Sequence, residues 1–259
     1  MNPQKFFLKA GNALISLILI LALVIAGVYS IYALWDNHRI YAAAENVQAD
    51  LLQLKPDGSR ESFEKLRKIN PDVCAWITLD NTEIDYPVVQ GETNIEYLNT
   101  DVYGNFALAG SIFLDTRCDS TFHDRYSLIY GHHMDQSRMF GDLDLYKEKE
   151  FFDTNKTGKL IVPGGTYDLE IFACMTVASS DQMIFDPTSW QADIDGLVKY
   201  SRQKALHYYD SPYVEKRGKD APQVLALSTC SSESSEARTV VLTVMKSFTP
   251  VEEEENQND

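Results

Sequence analysis

An uncharged apolar run near the N-terminus is the strongest constraint on what this chain can fold into. No residue between positions 10 and 35 is charged, and positions 14–31 are dominated by Leu, Ile, Val and Ala. At about 1.5 Å per residue, a helix of this length exceeds the roughly 30 Å hydrocarbon layer of a bilayer. The sequence therefore predicts a transmembrane helix over residues 10–35.

The residues around this run predict its orientation. The leader, residues 1–9, carries Lys5 and Lys9 and no acid, so the positive-inside rule places it in the cytoplasm and the rest of the chain outside. A cleaved signal peptide is the alternative, since residues 42–44 are all Ala, but the run is far longer than the apolar core of a signal peptide. We expect a single-pass anchor in the cell membrane.

Beyond the anchor, residues 36–70 predict two helices, over 37–54 and 62–69, separated by the Pro-Asp-Gly-Ser turn at 56–59. From residue 71 to 248 the pattern is mainly β, with helical interruptions at 139–150 and 190–208. Eight short strands favour a sandwich or a closed barrel; we predict them at 73–78, 84–89, 111–114, 127–130, 159–162, 167–178, 223–229 and 239–246.

Charge excludes one class of partner. The formal net charge is −15, and the basic residues form no stripe, so the chain does not suit nucleic acid. Part of the negative charge lies in the C-terminal tail, residues 249–259, which we expect to be solvated and disordered.

One of the four cysteines occupies a position that suits chemistry. Cys74 and Cys174 lie in apolar strands and suit a buried role, and Cys118 has no evident role. The spacings of 44, 56 and 56 residues match no C-x-x-C pattern. Cys230 instead ends an apolar strand, and Arg238 opens the next one. A thiol with a fixed cation nearby can act as a nucleophile whose oxyanion has a positive partner.

The candidate base for this thiol is one of two adjacent histidines that end another strand. Alternation puts Tyr130 and His132 on one face of that strand and His133 on the other, just as Ser228 and Cys230 share a face. Spacing alone does not decide between this catalytic interpretation and a structural one. In the structural one, the two histidines only end a strand and Cys230 is a buried thiol without a chemical role. Neighbours that face opposite ways are poor metal co-ligands, so we predict no metal site.

Three sequence features behind the N-terminal anchor resemble, in their order, the sortases of Gram-positive bacteria. They are the segment 127–134 (Ser-Leu-Ile-Tyr-Gly-His-His-Met), the segment 227–230 (Leu-Ser-Thr-Cys) and Arg238. Ala226 stands where the family usually has threonine. Class B is indicated by the two helices before the barrel, by residues 84–91 and 94–99, and by the helix at 190–208. The resemblance implies a closed eight-stranded barrel with a long helix between its sixth and seventh strands.

The resemblance also implies roles for individual residues. Cys230 corresponds to the nucleophile, His132 to the catalytic histidine and Arg238 to the arginine that holds the substrate and stabilises the oxyanion. The positions that contact the sorting peptide in class B relatives correspond to Asn94, Leu98, Tyr130 and Ser228.

The implied activity is a cysteine transpeptidase without a cofactor. It cleaves a C-terminal sorting signal of secreted proteins after threonine and passes the acyl group to an amine of the peptidoglycan precursor or of a pilin. Two alternatives remain at this point: a cysteine peptidase with water as acceptor, and a non-catalytic surface scaffold.

Overall fold

A long N-terminal helix opens the computed structural model, which describes residues 3–216, 221–230 and 237–251. Helix α1 is continuous over Pro3–Leu52. Of the helices in these described ranges, it alone is long and apolar enough to cross a membrane. The sequence predicted a separate helix from residue 37. No Gly or Pro lies between Trp35 and Leu52 to interrupt the backbone hydrogen bonds, so the two predicted helices form one.

The second predicted helix, α2, spans Arg60–Ile69 and covers one side of the sheet. Ser59 caps its first turn by accepting a hydrogen bond from the Ser62 amide (3.2 Å), and the backbone leaves the helix at Asn70. Phe63 and Leu66, three residues apart on one helix face, are buried.

Every strand predicted from the sequence is present. The strands are β1 (Val73–Leu79), β2 (Asp85–Val89), β3 (Ile112–Leu114), β4 (Tyr126–Met134), β5 (Arg138–Met139), β6 (Thr157–Val162), β7 (Gly165–Ala178), β8 (His207–Tyr208), β9 (Gln223–Cys230) and β10 (Ala237–Pro250). The two-residue strands β5 and β8 pair with β4 and β7 and lie outside the main ring.

The other eight strands close into a barrel in the order β1, β2, β3, β4, β9, β10, β7, β6 and back to β1. The β2–β3 and β4–β9 pairs are parallel and the other pairs are antiparallel. This confirms the closed eight-stranded barrel that the resemblance implied. Because β4 and β9 are parallel, their C-terminal ends meet at the same rim.

Alternation along the strands separates two hydrophobic clusters. On β1, Ala75 and Ile77 belong to the larger cluster, whereas Trp76 belongs to the smaller one together with Phe63 and Leu66 of α2. All five residues are at most 1% exposed. Both faces of β1 are therefore buried, and a one-residue slip would exchange the large Trp76 with the smaller Ala75 or Ile77 between the two clusters.

Short helices fill the connections. The predicted helix at 139–150 appears as a 3₁₀ helix, Gly141–Lys147, followed by α3, Lys149–Thr154. Between β7 and β9 lie α4 (Gln182–Phe185), a 3₁₀ turn (Pro187–Trp190) and α5 (Asp195–Lys204).

Helix α5 is shorter than the predicted span of 190–208. The Asp193 carboxylate accepts from the Asp195 amide (2.9 Å) in a local turn before the helix. Beyond the helix, His207 and Tyr208 pair with β7 as β8.

The end of the chain is described only in part. Strand β10 continues to Pro250, two residues into the predicted tail. Tail residues 252–259 and the polar loop 231–236 between β9 and β10 lie outside the described residues.

Candidate active site

Strands β4 and β9 bring the predicted nucleophile and base side by side. Their parallel register pairs Tyr130 with Ser228, Gly131 with Thr229 and His132 with Cys230. Paired residues on neighbouring strands project their side chains to the same face of a sheet. The imidazole and the thiol therefore occupy one rim of the barrel on the same face, as the alternation of the two strands predicted.

A cleft of about 350 Å³ opens at this rim. Its wall contains the three predicted catalytic residues and three of the four predicted groove residues. The lining residues are Asn94, Leu98, Asn99, Phe113, Tyr130, His132, Ser179, Phe185, Cys230 and Arg238. Ser228 is not among them: it is fully buried, and its hydroxyl donates to the Thr229 carbonyl (3.1 Å).

Cys230 presents a protonated thiol to the cleft. The residue is 8% exposed, and burial raises the pKa of its thiol to about 11, while the positive charge of Arg238 partly opposes the shift. All four cysteines of the chain are free and buried. Burial also raises the pKa of the Cys74, Cys118 and Cys174 thiols, each to about 12. Of the four, Cys230 alone lines the cleft.

His132 is oriented by a backbone carbonyl. Its Nε2 lies 2.7 Å from the Leu98 oxygen. A carbonyl oxygen can only accept, so Nε2 carries the hydrogen and Nδ1 is left to take up or release a proton. The sequence named no acid or amide as an orienting partner. A carbonyl leaves no signature in residue type, so sequence analysis had no signal for this contact.

Arg238 offers an unsatisfied donor. It lies near the start of β10, where it pairs with Val177 of β7. Its Nη1 is buried and has no hydrogen-bond partner among the residues that the structure describes. A buried guanidinium N–H without a partner is costly, and such groups are commonly found where a ligand supplies the missing acceptor.

His133 belongs to a second polar group on the opposite face of β4. Its Nε2 lies 3.1 Å from Asp144, whose carboxylate also accepts from Thr239 Oγ1 (2.6 Å) and Lys147 Nζ (2.7 Å). The Thr239 amide donates in turn to Thr229 Oγ1 (3.0 Å). His133, Thr239 and Thr229 are the chain neighbours of the three predicted catalytic residues, so this group ties together the strands that carry them.

Electrostatics in this second group favour the ion pair. The hydrogen bond to Asp144 raises the pKa of His133 above its ordinary value, although burial opposes the shift. Burial also disfavours ionisation of Asp144, but hydrogen bonds from His133, Lys147 and Thr239 outweigh it and hold the pKa of this carboxyl well below its usual range. Asp144, which lies on the 3₁₀ helix between β5 and β6, is not among the residues predicted from the sequence.

Comparison with known proteins decides the family. A family model described as the sortase domain matches residues 77–246. This chain belongs to the sortase family. Sortase B of Staphylococcus aureus (strain NCTC 8325 / PS 47) is 28% identical over 242 residues, which cover 92% of this chain and 97% of that protein. Sortase B of Listeria monocytogenes is 32% identical over 192 residues, covering 74% and 73%.

Solved structures agree with this assignment. A class B sortase of Streptococcus pyogenes involved in pilus biogenesis is 37% identical, with a TM-score of 0.63, and the match covers 70% of this chain and 96% of that one. The Staphylococcus aureus sortase B–substrate complex is 28% identical, with a TM-score of 0.68, covering 83% and 99%. The chain is thus a sortase of class B, and sortases are cysteine transpeptidases.

Proposed function

We propose that this sortase is a membrane-anchored transpeptidase that cleaves a C-terminal sorting signal of secreted proteins after threonine. The threonine is then joined to an amine of the cell-wall precursor or of a pilin. The observation that carries the proposal is the pairing of His132 with Cys230 at the barrel rim, beside an Arg238 donor that has no partner among the described residues.

In the first step the Cys230 sulfur attacks the threonine carbonyl carbon. Because the thiol pKa of about 11 keeps the group protonated at neutral pH, its proton must leave as the C–S bond forms, and His132 takes it up. The carbonyl π electrons move to the oxygen, and Arg238 donates to the resulting oxyanion. A guanidinium suits this role because it remains charged and offers donors in a fixed geometry.

The intermediate then collapses to a thioester. The C–N bond breaks, and the proton on His132 moves to the leaving amine, so that the C-terminal part of the signal departs neutral. An incoming amine attacks the thioester carbonyl, His132 removes its proton, and the Cys230 thiol is restored as the new amide forms. When an amine reaches the thioester before water does, the enzyme ligates rather than hydrolyses.

The sorting peptide binds in the cleft beside these groups. Asn94, Leu98 and Tyr130 line it and are the residues that we propose contact the peptide. Ser228 is proposed as a fourth groove residue from the resemblance alone. Since its side chain is buried beside Tyr130 in the β4–β9 pair, any effect on the peptide passes through packing.

The N-terminal segment places the enzyme where both substrates are held. We propose a cytoplasmic leader at 1–9, an anchor at 10–35, connecting helices at 36–70, an extracellular catalytic barrel at 71–248 and a tail at 249–259. The exposed apolar side chains along α1 support a membrane segment, and the length of the uncharged run favours an anchor that is kept rather than cleaved. Tethering raises the effective concentration of a lipid-linked acceptor and of a substrate still held at the membrane. The N-terminal sequence of the enzyme recovered from membranes tests whether residues 1–43 are retained.

A peptide screen with the full chain in detergent micelles tests the reaction. Fluorogenic sorting peptides of the Asn-Pro-x-Thr type, varied at the first two positions, are incubated with and without a peptide amine. We expect cleavage after threonine, a ligated product when amine is present, and a thioester on Cys230 by mass spectrometry. Cys230→Ala should abolish all three. Cys74→Ala, which removes a buried thiol on β1, serves as the matched control and should retain them.

The same screen separates the alternatives. Hydrolysis without ligation at any amine concentration indicates a cysteine peptidase. Absence of cleavage of every peptide by the wild type indicates a scaffold. Full cleavage by Cys230→Ala would overturn the assignment of the nucleophile.

A further inference from the structure

A buried carboxylate behind the cleft, Asp115, contacts several residues of the cleft wall. It follows β3 directly, and its side chain is 0% exposed. One oxygen, Oδ2, accepts from Tyr130 Oη (3.0 Å), Asn94 Nδ2 (3.0 Å) and Arg117 Nη2 (2.7 Å). The other, Oδ1, accepts from Arg117 Nε (2.9 Å) and the Arg117 amide (3.0 Å). Two of the proposed groove residues, Asn94 and Tyr130, therefore bind one fixed anion.

The carboxylate is held in its ionised form. Burial opposes ionisation, but the hydrogen bonds and charge of Arg117, together with the Tyr130 phenol, lower the pKa of Asp115 below its ordinary value. An ionised carboxylate can only accept hydrogen bonds. Each neighbour must therefore turn a hydrogen toward it.

This requirement fixes what the groove side chains present to a ligand. Tyr130 has a single hydroxyl hydrogen, and Asp115 receives it, so toward the cleft the phenol oxygen can only accept. The amide of Asn94 is held at both ends, since its Oδ1 accepts from the Thr116 amide (2.9 Å) and its Nδ2 donates to Asp115. One Nδ2 hydrogen of Asn94 is left without a partner among the described residues.

Phe185, another residue of the cleft lining, is connected to the same group. Arg117 Nη2, which pairs with Asp115, also donates to the Phe185 carbonyl (2.7 Å) on α4. The Phe185 ring stacks on Tyr130, with 6.3 Å between ring centroids and 13° between planes. Through Arg117, Asp115 sets the spacing of Phe185 and Tyr130 as well as the polarity of Tyr130.

We propose that Asp115 is a positioning residue that gives the groove one fixed donor, at Asn94, and one fixed acceptor, at Tyr130, matched to an amide of the bound peptide. This inference rests on the proposed function, because it assigns that peptide a contact. The amide belongs either to the peptide backbone or to a side-chain carboxamide. Asp115 touches no reacting atom, so its effect falls on substrate binding and not on the chemistry of the thiol.

Steady-state kinetics of the full chain with a cleaved sorting peptide test the positioning role. Asp115→Asn, which keeps the shape and removes the charge, should raise KM about tenfold or more and leave kcat within about twofold. The rate at which a small methanethiosulfonate modifies Cys230 should stay within about twofold, because the reagent does not use the groove. Asp119→Asn, which removes a nearby carboxylate that contacts no groove residue, should leave KM unchanged.

A substrate–enzyme cycle tests the polarity. Peptides are N-methylated at one backbone amide at a time, or carry Leu in place of one side-chain carboxamide. The modification that removes the contacted amide should cost the wild type about tenfold in kcat/KM but cost Tyr130→Phe less than about twofold. The responding peptide identifies the source of the amide. This cycle can be measured even if Asp115→Asn does not fold, because Tyr130→Phe retains the Asp115 carboxylate.

The outcomes separate this inference from the function on which it rests. No cleavage of any peptide by the wild type overturns the proposed function and the inference with it. Cleavage by the wild type, with Asp115→Asn at the wild-type KM, overturns the inference alone. If thiol modification is lost in parallel with peptide cleavage, the role of Asp115 is a general structural one, and the inference is also overturned. It is overturned as well if the effect of every peptide modification on kcat/KM adds fully to the effect of Tyr130→Phe.

Discussion

Burial of the Cys230 thiol predicts slow alkylation with a steep pH dependence. The pKa rises from 9.0 to about 11, which corresponds to about 3 kcal/mol favouring the protonated form. At pH 8 the thiolate fraction therefore falls from about 10% to about 0.1%. Because only the thiolate attacks an alkylating agent, the rate should rise about tenfold per pH unit and reach no plateau below about pH 10.

Iodoacetamide labelling of the full chain between about pH 6.5 and 10, followed by intact mass, measures this rate. Cys230→Ala should take up no label while folded, since the other three thiols are buried in the barrel. Arg238→Met should slow labelling further, because loss of the cation raises the thiol pKa, whereas Arg238→Lys, which keeps a positive charge, should slow it less.

A plateau below about pH 8 would refute this reasoning. It would mean that a stable thiolate forms near neutral pH, paired with a protonated His132. The thiol proton would then have left before the attack, and His132 would take up no proton in the first step.

Three further predictions concern residues around the barrel rim that carries His132 and Cys230. Asp144→Ala should lower kcat about tenfold with the peptide KM within about twofold, since it loosens β4 against β10; an unchanged kcat would contradict this. Because folding raises the pKa of His133, the protonated imidazole stabilises the folded state. This contribution is complete below the pKa of His133 in the unfolded chain and is lost as pH rises through its higher pKa in the folded chain. Urea unfolding should therefore show that His133→Gln costs about 0.5 kcal/mol more at pH 5.5 than at pH 9, and an equal cost at both would argue against the pair. In Gly131→Ala the new Cβ would lie 2.4 Å from Ile112 Cδ1 and 2.8 Å from Phe140 Cγ. Thermal unfolding should show a loss of about 1–3 kcal/mol, and an unchanged midpoint would show that the two side chains yield without strain.

The strands, and the side chains that share a face of each strand, could be predicted because their signals are local. Alternation within residues 127–132 and 227–230 predicts which side chains share a face of each strand, and the structure makes the two strands neighbours and pairs His132 with Cys230. The arrangement of the barrel itself came from the resemblance, since the strand patterns alone also allowed a sandwich.

What the sequence did not reveal depends on contacts between distant residues. The Leu98 carbonyl that orients His132 is 34 positions away and carries no side-chain signature. The bond from Arg117 to the Phe185 carbonyl joins residues 68 positions apart. The length of α5 was misjudged for a related reason: the pairing of His207 with β7, and not its helical spacing, decides the conformation of that segment.

The parallel pairing of β4 with β9 also has a consequence for folding. Met134, the last residue of β4, and Gln223, the first of β9, are 89 positions apart (223 − 134), so no hairpin can bring these strands together. Such non-local pairing forms slowly, because the closure entropy of a long intervening segment must be met first. The thiol and the imidazole therefore become neighbours only as the barrel closes. Recovery of activity during refolding should report that closure, and an incompletely folded chain carries a thiol with no base beside it.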